Sequence, residues 1–155
     1  MADDTAQTAA QAPPCQGPDR HTRQPRFEMP PLACDTHAHV FGPQARFPFS
    51  PERSYTPEDC TVEDYAALLQ TLGIARKVVV HGGAHGTDNR VTLDAIARLG
   101  PSARGVAVIR PGLGHSELQR LHQGGMRGCR LSTVVRGGAS FEHLEALAAE
   151  TFELG

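Results

Sequence analysis

The sequence predicts an α/β protein that forms the first half, (β/α)4, of a barrel of parallel strands surrounded by helices. Predicted strands and helices alternate four times, which is typical of parallel strands joined by right-handed crossovers. The unusual side chains follow the strands, whereas the helix-to-strand turns are short and rich in glycine, as in barrel enzymes. Without the predicted tail at residues 1–31, the chain supplies about half of the roughly 250 residues that eight such units need.

Local signals place the eight elements in order. Apolar runs predict strands at about residues 32–39, 77–81, 105–109 and 127–131. Apolar residues at helical spacing predict helices at about 62–72, 91–100, 116–124 and 141–154. The first and third helices carry predicted capping boxes, at Thr61 with Asp64 and at Ser116 with Gln119. The fourth helix is expected to bury Phe141, Leu144, Leu147 and Ala148.

The remaining segments divide the chain into a tail and a domain. Residues 1–31 lack helical or strand periodicity and predict a disordered N-terminal tail, and residues 32–155 predict the partial barrel domain. Within that domain, the long segment 41–60 combines several prolines with Phe47, Phe49 and Tyr55. Aromatic side chains in a proline-stiffened loop of this length indicate an ordered wall beside a site.

Composition narrows the range of partners. The formal net charge is −2, from 15 basic and 17 acidic residues, which gives no reason to expect a nucleic acid or an anionic membrane. The four cysteines contain no Cys-x-x-Cys pair and predict reduced thiols in a cytoplasmic protein. We find neither an apolar run of transmembrane length nor a basic–apolar secretory start, and therefore expect no membrane association.

The most informative stretch is Asp35-Thr36-His37-Ala38-His39, at the end of the first predicted strand. Side chains alternate along a strand, so Asp35, His37 and His39 are expected on one face. Two imidazoles approaching from one direction can hold a metal ion or a polarised oxygen. The alternative is a polar strand end with two surface histidines. The acid ahead of the pair favours the functional interpretation.

Other polar residues follow the second predicted strand. His81 is as consistent with a hydrogen-bonded strand-end histidine as with a site residue, and Asp88 fits a helix N-cap better than a catalytic acid. For His85 we favour a functional role, because its loop is predicted at the mouth of the barrel.

Three motifs together resemble the amidohydrolase superfamily: Asp35-Thr36-His37-Ala38-His39-Val40-Phe41, Gly86-Thr87-Asp88-Asn89 and Arg127-Gly128-Cys129-Arg130. They are most similar to the branch containing 2-pyrone-4,6-dicarboxylate hydrolases, sulfomuconolactone hydrolases and sugar lactonases. The resemblance runs from about residue 31 to the C-terminus. It implies a TIM-barrel-like metal-dependent-hydrolase fold, of which this chain is the N-terminal half.

The resemblance also implies roles for individual residues. His37 and His39 match histidines that bind zinc in metal-dependent members and lie beside the scissile carbonyl in the pyrone branch, where no metal is required. The implied cofactor is therefore none or one divalent metal, zinc, held by these two histidines. The implied substrate-binding residues are a loop tyrosine and two carboxylate-holding arginines: Tyr55, Arg130 and Arg136. His85 departs from the family's usual aromatic residue, and we add it to the substrate-binding residues because of its predicted place at the mouth.

The function expected from the resemblance is hydrolysis of the lactone ring of a small carboxylated substrate. The family's general-base aspartate is expected beyond residue 155, so the chain alone is expected to be inactive. Two alternatives stay open at this point. One is a zinc-dependent decarboxylase of the same superfamily. The other is a non-catalytic half-barrel fragment that self-associates through exposed sheet edges.

Overall fold

A four-stranded parallel sheet forms the frame of the molecule. The computed structural model describes residues 12–133 and 139–154. The strands lie in the order β2 (Cys34–Ala38), β4 (Arg76–Val80), β5 (Ala103–Ala107) and β6 (Met126–Cys129). Two short strands, β1 (Pro14–Cys15) and β3 (Thr56–Pro57), pair separately with each other. Each strand of the main sheet is followed by helical structure, which confirms the predicted α/β class and the order of four units.

Four α-helices follow the strands: α1 (Val62–Leu72), α2 (Arg90–Leu99), α3 (His115–Gln123) and α4 (Leu144–Thr151). The capping box of α1 is confirmed, because the Thr61 side chain accepts a hydrogen bond from the Asp64 backbone and the Asp64 carboxylate accepts one from the Thr61 N–H. Gly73 ends α1 in the left-handed conformation with φ +72°, which glycine adopts without steric cost. None of the helices in the described ranges is both long and apolar enough to cross a membrane.

Helices α3 and α4 differ from their predictions. Helix α3 begins one residue earlier than expected, after Gly114, and no side chain caps it, so the predicted Ser116–Gln119 capping box is wrong. A turn of 3₁₀-helix at Phe141–His143 precedes α4 and breaks the 3.6-residue period. As a result Leu147 is buried, whereas Phe141 and Leu144 are 57% and 50% exposed, contrary to expectation. Ala148 is also exposed.

The helices pack on the sheet through two apolar clusters. One joins the end of β2, the 41–60 segment, α1 and α2, with Val40, Phe47, Tyr65, Leu69, Val79 and Val91 among its buried members. The other joins α2, β5, α3, β6 and α4, with Ile96, Ile109, Leu118, Leu121, Met126 and Leu147 among its members. Helix α2 contributes to both clusters and so ties the two halves of the sheet together.

Parts of residues 12–31, which belong to the predicted disordered tail, contact the domain. The Thr56 backbone N–H donates to the Pro13 carbonyl over 2.7 Å. Arg20 pairs with Asp64 at 3.0 Å and also donates to the Asp59 carbonyl over 2.7 Å. These contacts join residues about 40 positions apart in the sequence. Local periodicity carries no information about such pairs.

Candidate active site

His37 and His39 lie together at the end of β2, as the His-x-His spacing predicts. Their ring centroids are 5.1 Å apart in an edge-to-face arrangement. Asp35 lines the same cavity as both histidines, and its carboxylate accepts one hydrogen bond from the Tyr65 hydroxyl (2.9 Å) and another from the His37 backbone N–H (3.0 Å). The register with β4 shifts between Asp35 and Ala38, and this irregularity interrupts the simple alternation of faces.

The ring of His39 is held in one tautomer. Its Nδ1–H donates to the Val80 carbonyl over 2.8 Å, so the lone pair is on Nε2. Burial lowers the pKa of His39, and the positive charges of Arg130 and His37 lower it further against the opposing hydrogen bond to Val80. His39 is therefore neutral near pH 7 and offers an acceptor, or a metal-binding nitrogen, at Nε2.

Arg130 follows β6 and reaches across the sheet towards β4. One guanidinium nitrogen donates to the His81 carbonyl over 3.2 Å. The His39 ring is bonded to the preceding carbonyl, that of Val80. The positive charge of Arg130 lowers the pKa of His39 and acts in the same direction on the pKa of Tyr55. Burial nevertheless raises the pKa of Tyr55 overall, and the phenol stays protonated. Arg130 and His39 are thus both bonded to backbone carbonyls at the end of β4.

His85 belongs to an aromatic wall that connects two loops. His85 is only 3% exposed. Its ring stacks on that of Phe41 with the two centroids 5.9 Å apart, and its centroid lies 4.9 Å from that of Phe49. The Nδ1–H donates to the Pro48 carbonyl (3.3 Å), while the buried Nε2 has no hydrogen-bond partner among the described residues. Burial lowers the pKa of His85, so the ring is neutral. The expectation of an ordered aromatic loop is confirmed for the described residues.

The turn after β4 is structural. His81 is fully buried, accepts a hydrogen bond at Nδ1 from the Thr92 hydroxyl (2.8 Å) and donates from Nε2 to the Gly86 carbonyl (3.1 Å). Burial lowers its pKa to about 3. With both nitrogens engaged, His81 is the hydrogen-bonded strand-end histidine of the two alternatives.

Sequence reasoning missed the role of Asn89. Its side-chain amide donates to the Val108 carbonyl (2.8 Å) and its amide oxygen accepts from the Val108 N–H (3.0 Å). This pair of bonds fastens the turn after β4 to the end of β5. The Gly86-Thr87-Asp88-Asn89 motif was the available signal, although the sequence does not show which backbone Asn89 meets. The predicted N-cap at Asp88 is wrong: the N-cap of α2 is Asn89, and Asp88, one residue earlier, accepts a hydrogen bond from the Arg90 N–H.

Arg136, the second predicted carboxylate-holding arginine, lies outside the described residues, and its role stays a prediction. In the described ranges, no group of three or more His, Cys, Asp or Glu side chains could hold a metal ion. His37 and His39 supply two nitrogen donors, and a catalytic zinc takes three protein ligands. The described residues therefore do not complete a zinc site.

The site has the layout of a barrel enzyme, with its polar side chains at the carboxyl ends of parallel strands. The amidohydrolase family model matches residues 34–155. The chain belongs to the amidohydrolase family, whose members are often metal-dependent.

Two curated relatives are similar over most of this chain. The first is 2-pyrone-4,6-dicarboxylate hydrolase of Comamonas testosteroni, 48% identical over 113 residues that cover 73% of this chain and 37% of the relative. The second is 4-sulfomuconolactone hydrolase of Rhizobium radiobacter, 43% identical over 143 residues that cover 91% of this chain and 46% of the relative. The chain thus spans less than half the length of these curated relatives.

Two solved structures share the fold. One is an apo protein from Agrobacterium tumefaciens, with a TM-score of 0.73 and 27% identity over 88% of this chain and 48% of that one. The other is a probable 2-pyrone-4,6-dicarboxylic acid hydrolase from Acinetobacter baumannii with citric acid bound. Its TM-score is 0.60 at 31% identity, over 64% of this chain and 37% of that one. The four-unit sheet therefore corresponds to part of a larger α/β structure, as the sequence predicts.

Proposed function

We propose that this chain supplies the carboxylate-holding and water-orienting part of an enzyme that hydrolyses the lactone ring of a small carboxylated substrate. The observation that carries the proposal is that Arg130 and the neutral ring of His39 bond to neighbouring carbonyls at the end of β4, and that His39 Nε2 has no hydrogen-bond partner among the described residues. Two relatives are hydrolases of such compounds by name, and a structural neighbour holds citric acid, a tricarboxylate.

Arg130 would hold a substrate carboxylate through paired, charge-assisted hydrogen bonds. The lactone carbonyl then lies towards His37 and His39. Because Nδ1–H of His39 is committed to Val80, Nε2 can accept a hydrogen bond from the attacking water but cannot donate one to the carbonyl. Water adds to the carbonyl carbon, the ring C–O bond breaks, and the departing oxygen takes up a proton. We assign proton removal from the water to a group in the region of the relatives that this chain does not span.

For the cofactor, we propose that substrate binding by these residues uses no metal. Two histidine donors are fewer than a catalytic zinc requires. In addition, the positive charge of Arg130, which already disfavours a proton on His39, disfavours a dication at the same ring more strongly. Tyr55 and His85 are proposed to contact the substrate from the wall formed by the 41–60 segment.

Calorimetric titration with 2-pyrone-4,6-dicarboxylate tests the carboxylate site directly. We expect binding to the chain, and a loss of roughly tenfold to hundredfold in Arg130→Ala, since a hydrogen bond to a charged group contributes about 1.5–3 kcal/mol. Arg104→Ala is the matched control, because Arg104 also donates to backbone carbonyls but lies at the start of β5. Equal affinity of the wild-type and Arg130→Ala proteins, or no binding by either, would contradict the proposal.

Turnover is tested in a chimera in which this chain replaces the matching segment of the Comamonas testosteroni hydrolase. Loss of the ring's ultraviolet absorbance reports ring opening. We expect an active chimera whose kcat falls by about tenfold in His39→Ala, because the attacking water loses the hydrogen bond that orients it, a contribution of about 1 kcal/mol. A folded chimera that leaves the ring intact would refute the assignment.

A further inference from the structure

Residues 12–20 form a strap that lies against the 41–60 segment. The two-residue strand β1 of this strap pairs in parallel with β3. At the other end of the strap, Arg20 donates to the Asp59 carbonyl over 2.7 Å and pairs with Asp64 at 3.0 Å. The segment that carries the aromatic side chains is therefore held by a part of the chain whose composition predicts a disordered tail.

Thr56 is the residue through which the strap meets the aromatic wall. Its backbone N–H donates to the Pro13 carbonyl over 2.7 Å, and its hydroxyl donates to the Ala12 carbonyl over 3.0 Å. The same hydroxyl oxygen accepts a hydrogen bond from Nε of Arg53 over 3.0 Å. A hydroxyl has one donor and two acceptor sites, so Thr56 can make both side-chain bonds at once. One side chain thus joins the strap to Arg53.

Arg53 extends this connection into the wall. Its Nη1 donates to the Ser50 carbonyl over 3.1 Å, and its guanidinium carbon lies 5.9 Å from the centroid of the Phe49 ring. The Ser50 backbone N–H in turn donates to the Ala84 carbonyl over 2.8 Å. Residues 49–53 are therefore fixed on one side by the strap, through Thr56, and on the other by the turn after β4.

We propose that Thr56 is a positioning residue, which uses its bonds to the strap and to Arg53 to hold the aromatic wall and Tyr55 in place for the substrate. The inference rests on the proposed function, in which Tyr55 and His85 contact the substrate. Tyr55 directly precedes Thr56, and its ring centroid lies 6.2 Å from that of Phe41. A loop that is ordered before the ligand arrives loses less conformational entropy on binding, so the strap strengthens binding without touching the ligand.

Calorimetric titration with 2-pyrone-4,6-dicarboxylate compares two substitutions of Thr56. Thr56→Val keeps a similar shape and the backbone bond to Pro13 but loses both hydroxyl bonds, whereas Thr56→Ser keeps the hydroxyl. We expect Thr56→Val to weaken binding roughly tenfold, within the hundredfold that a displacement of about 1 Å can cost, and Thr56→Ser to bind like the wild type. Thr151→Val is the matched control, because it removes a hydroxyl that donates to backbone carbonyls within α4.

Arg53→Met provides a second variant that leaves Thr56 in place. We expect it to weaken binding as Thr56→Val does, and we expect the double variant to bind no more weakly than the weaker single one, because both side chains act through one bond. Independent, additive losses would contradict the connection through Arg53. Wild-type affinity in Thr56→Val, or an equal loss in Thr56→Ser or Thr151→Val, would overturn the proposal.

Hydrogen exchange measured by mass spectrometry tests the strap without any ligand. We expect peptides from residues 46–56 to exchange roughly fivefold faster in Thr56→Val and in Arg53→Met, the equivalent of one lost hydrogen bond, but not in Thr56→Ser. Peptides from α2 and β5 should keep their wild-type protection, which shows that the fold is intact. Unchanged exchange at residues 46–56 would refute the positioning role. A wild-type chain that binds no lactone contradicts the proposed function instead, so the two failures give different results.

Discussion

Two histidines occupy equivalent places in neighbouring units: His39 is the first residue after β2, and His81 is the first after β4. His81 is fully buried and both of its ring nitrogens are hydrogen-bonded within the turn. His39 is only partly buried, and its Nδ1 alone is bonded to the backbone. The difference shows that a position at the end of a strand is not enough to give a histidine a catalytic role. What matters is whether the second ring nitrogen is already hydrogen-bonded, because only a nitrogen without such a partner can bind a substrate.

The largest expected effect lies in the turn that holds His81. Asn89→Ala removes both hydrogen bonds to Val108 and leaves that buried backbone N–H and C=O without partners. We expect a loss of about 3 kcal/mol in the free energy of unfolding, from unsatisfied groups at about 1–3 kcal/mol each. Urea unfolding measures it, with the exposed Gln123→Ala as control. A loss no larger than that of the control would show that the turn is not fastened by Asn89.

A second prediction concerns pH. Because the pKa of His81 falls from 6.5 to about 3 on folding, the unfolded chain binds a proton below pH 6.5 that the folded chain does not. The corresponding stability is present in full above pH 6.5 and is lost as the pH falls towards 3. His81→Gln is expected to be about 2 kcal/mol less stable at pH 7, through the lost buried hydrogen bonds. Its unfolding free energy should depend less steeply on pH.

The measurement is urea unfolding at several pH values from 7 to about 4, within the range over which carboxylates also begin to titrate. His115→Gln, an exposed histidine at the start of α3, serves as the matched control and should follow the wild-type profile. Parallel profiles for wild type and His81→Gln would contradict the assignment of this pH dependence to His81.

Substitution of His39, in contrast to that of His81, should affect catalysis more than stability. His39→Ala removes one partly buried hydrogen bond, so we expect a loss of only about 1 kcal/mol in the free energy of unfolding. The same change should lower kcat in the chimera, where His81→Gln acts mainly through stability. If His39→Ala destabilises the protein more than His81→Gln does, the division into a structural and a chemical histidine is wrong.

The smallest expected effect is that of zinc. Since the positive charge of Arg130 acts on His39 and the described residues supply two histidine donors, adding zinc or a chelator should leave the binding of 2-pyrone-4,6-dicarboxylate within twofold. Calorimetric titration in both conditions measures this. A tenfold gain in affinity with zinc, lost in His37→Ala, would replace the proposal with a metal-dependent one.

Several features could be predicted because they depend on residues near one another in the sequence. The capping box at Thr61 and Asp64, the end of α1 at Gly73 and the run of valines in β4 all follow from local rules. The pairing of His37 with His39 follows from the geometry of a strand and is confirmed. Arg130 could be placed at the same edge only through the resemblance to the family.

Other features could not be predicted because they depend on partners distant in the sequence. The bonds of Asn89 to Val108, the contact of Asp35 with Tyr65 and the pairing of Arg20 with Asp64 are of this kind. The exposure of Phe141 and Leu144 also departs from the apolar spacing, because the 3₁₀ turn changes the angle between successive side chains.

By itself, the sequence determined the alternation of strands and helices, the edge at which polar side chains gather, and the His-x-His pair, since each follows from chain periodicity. The tertiary structure decided which ring nitrogens are free and how Arg130 acts on His39. These outcomes depend on burial and on hydrogen bonds between separate elements, and both exist only once the chain has folded.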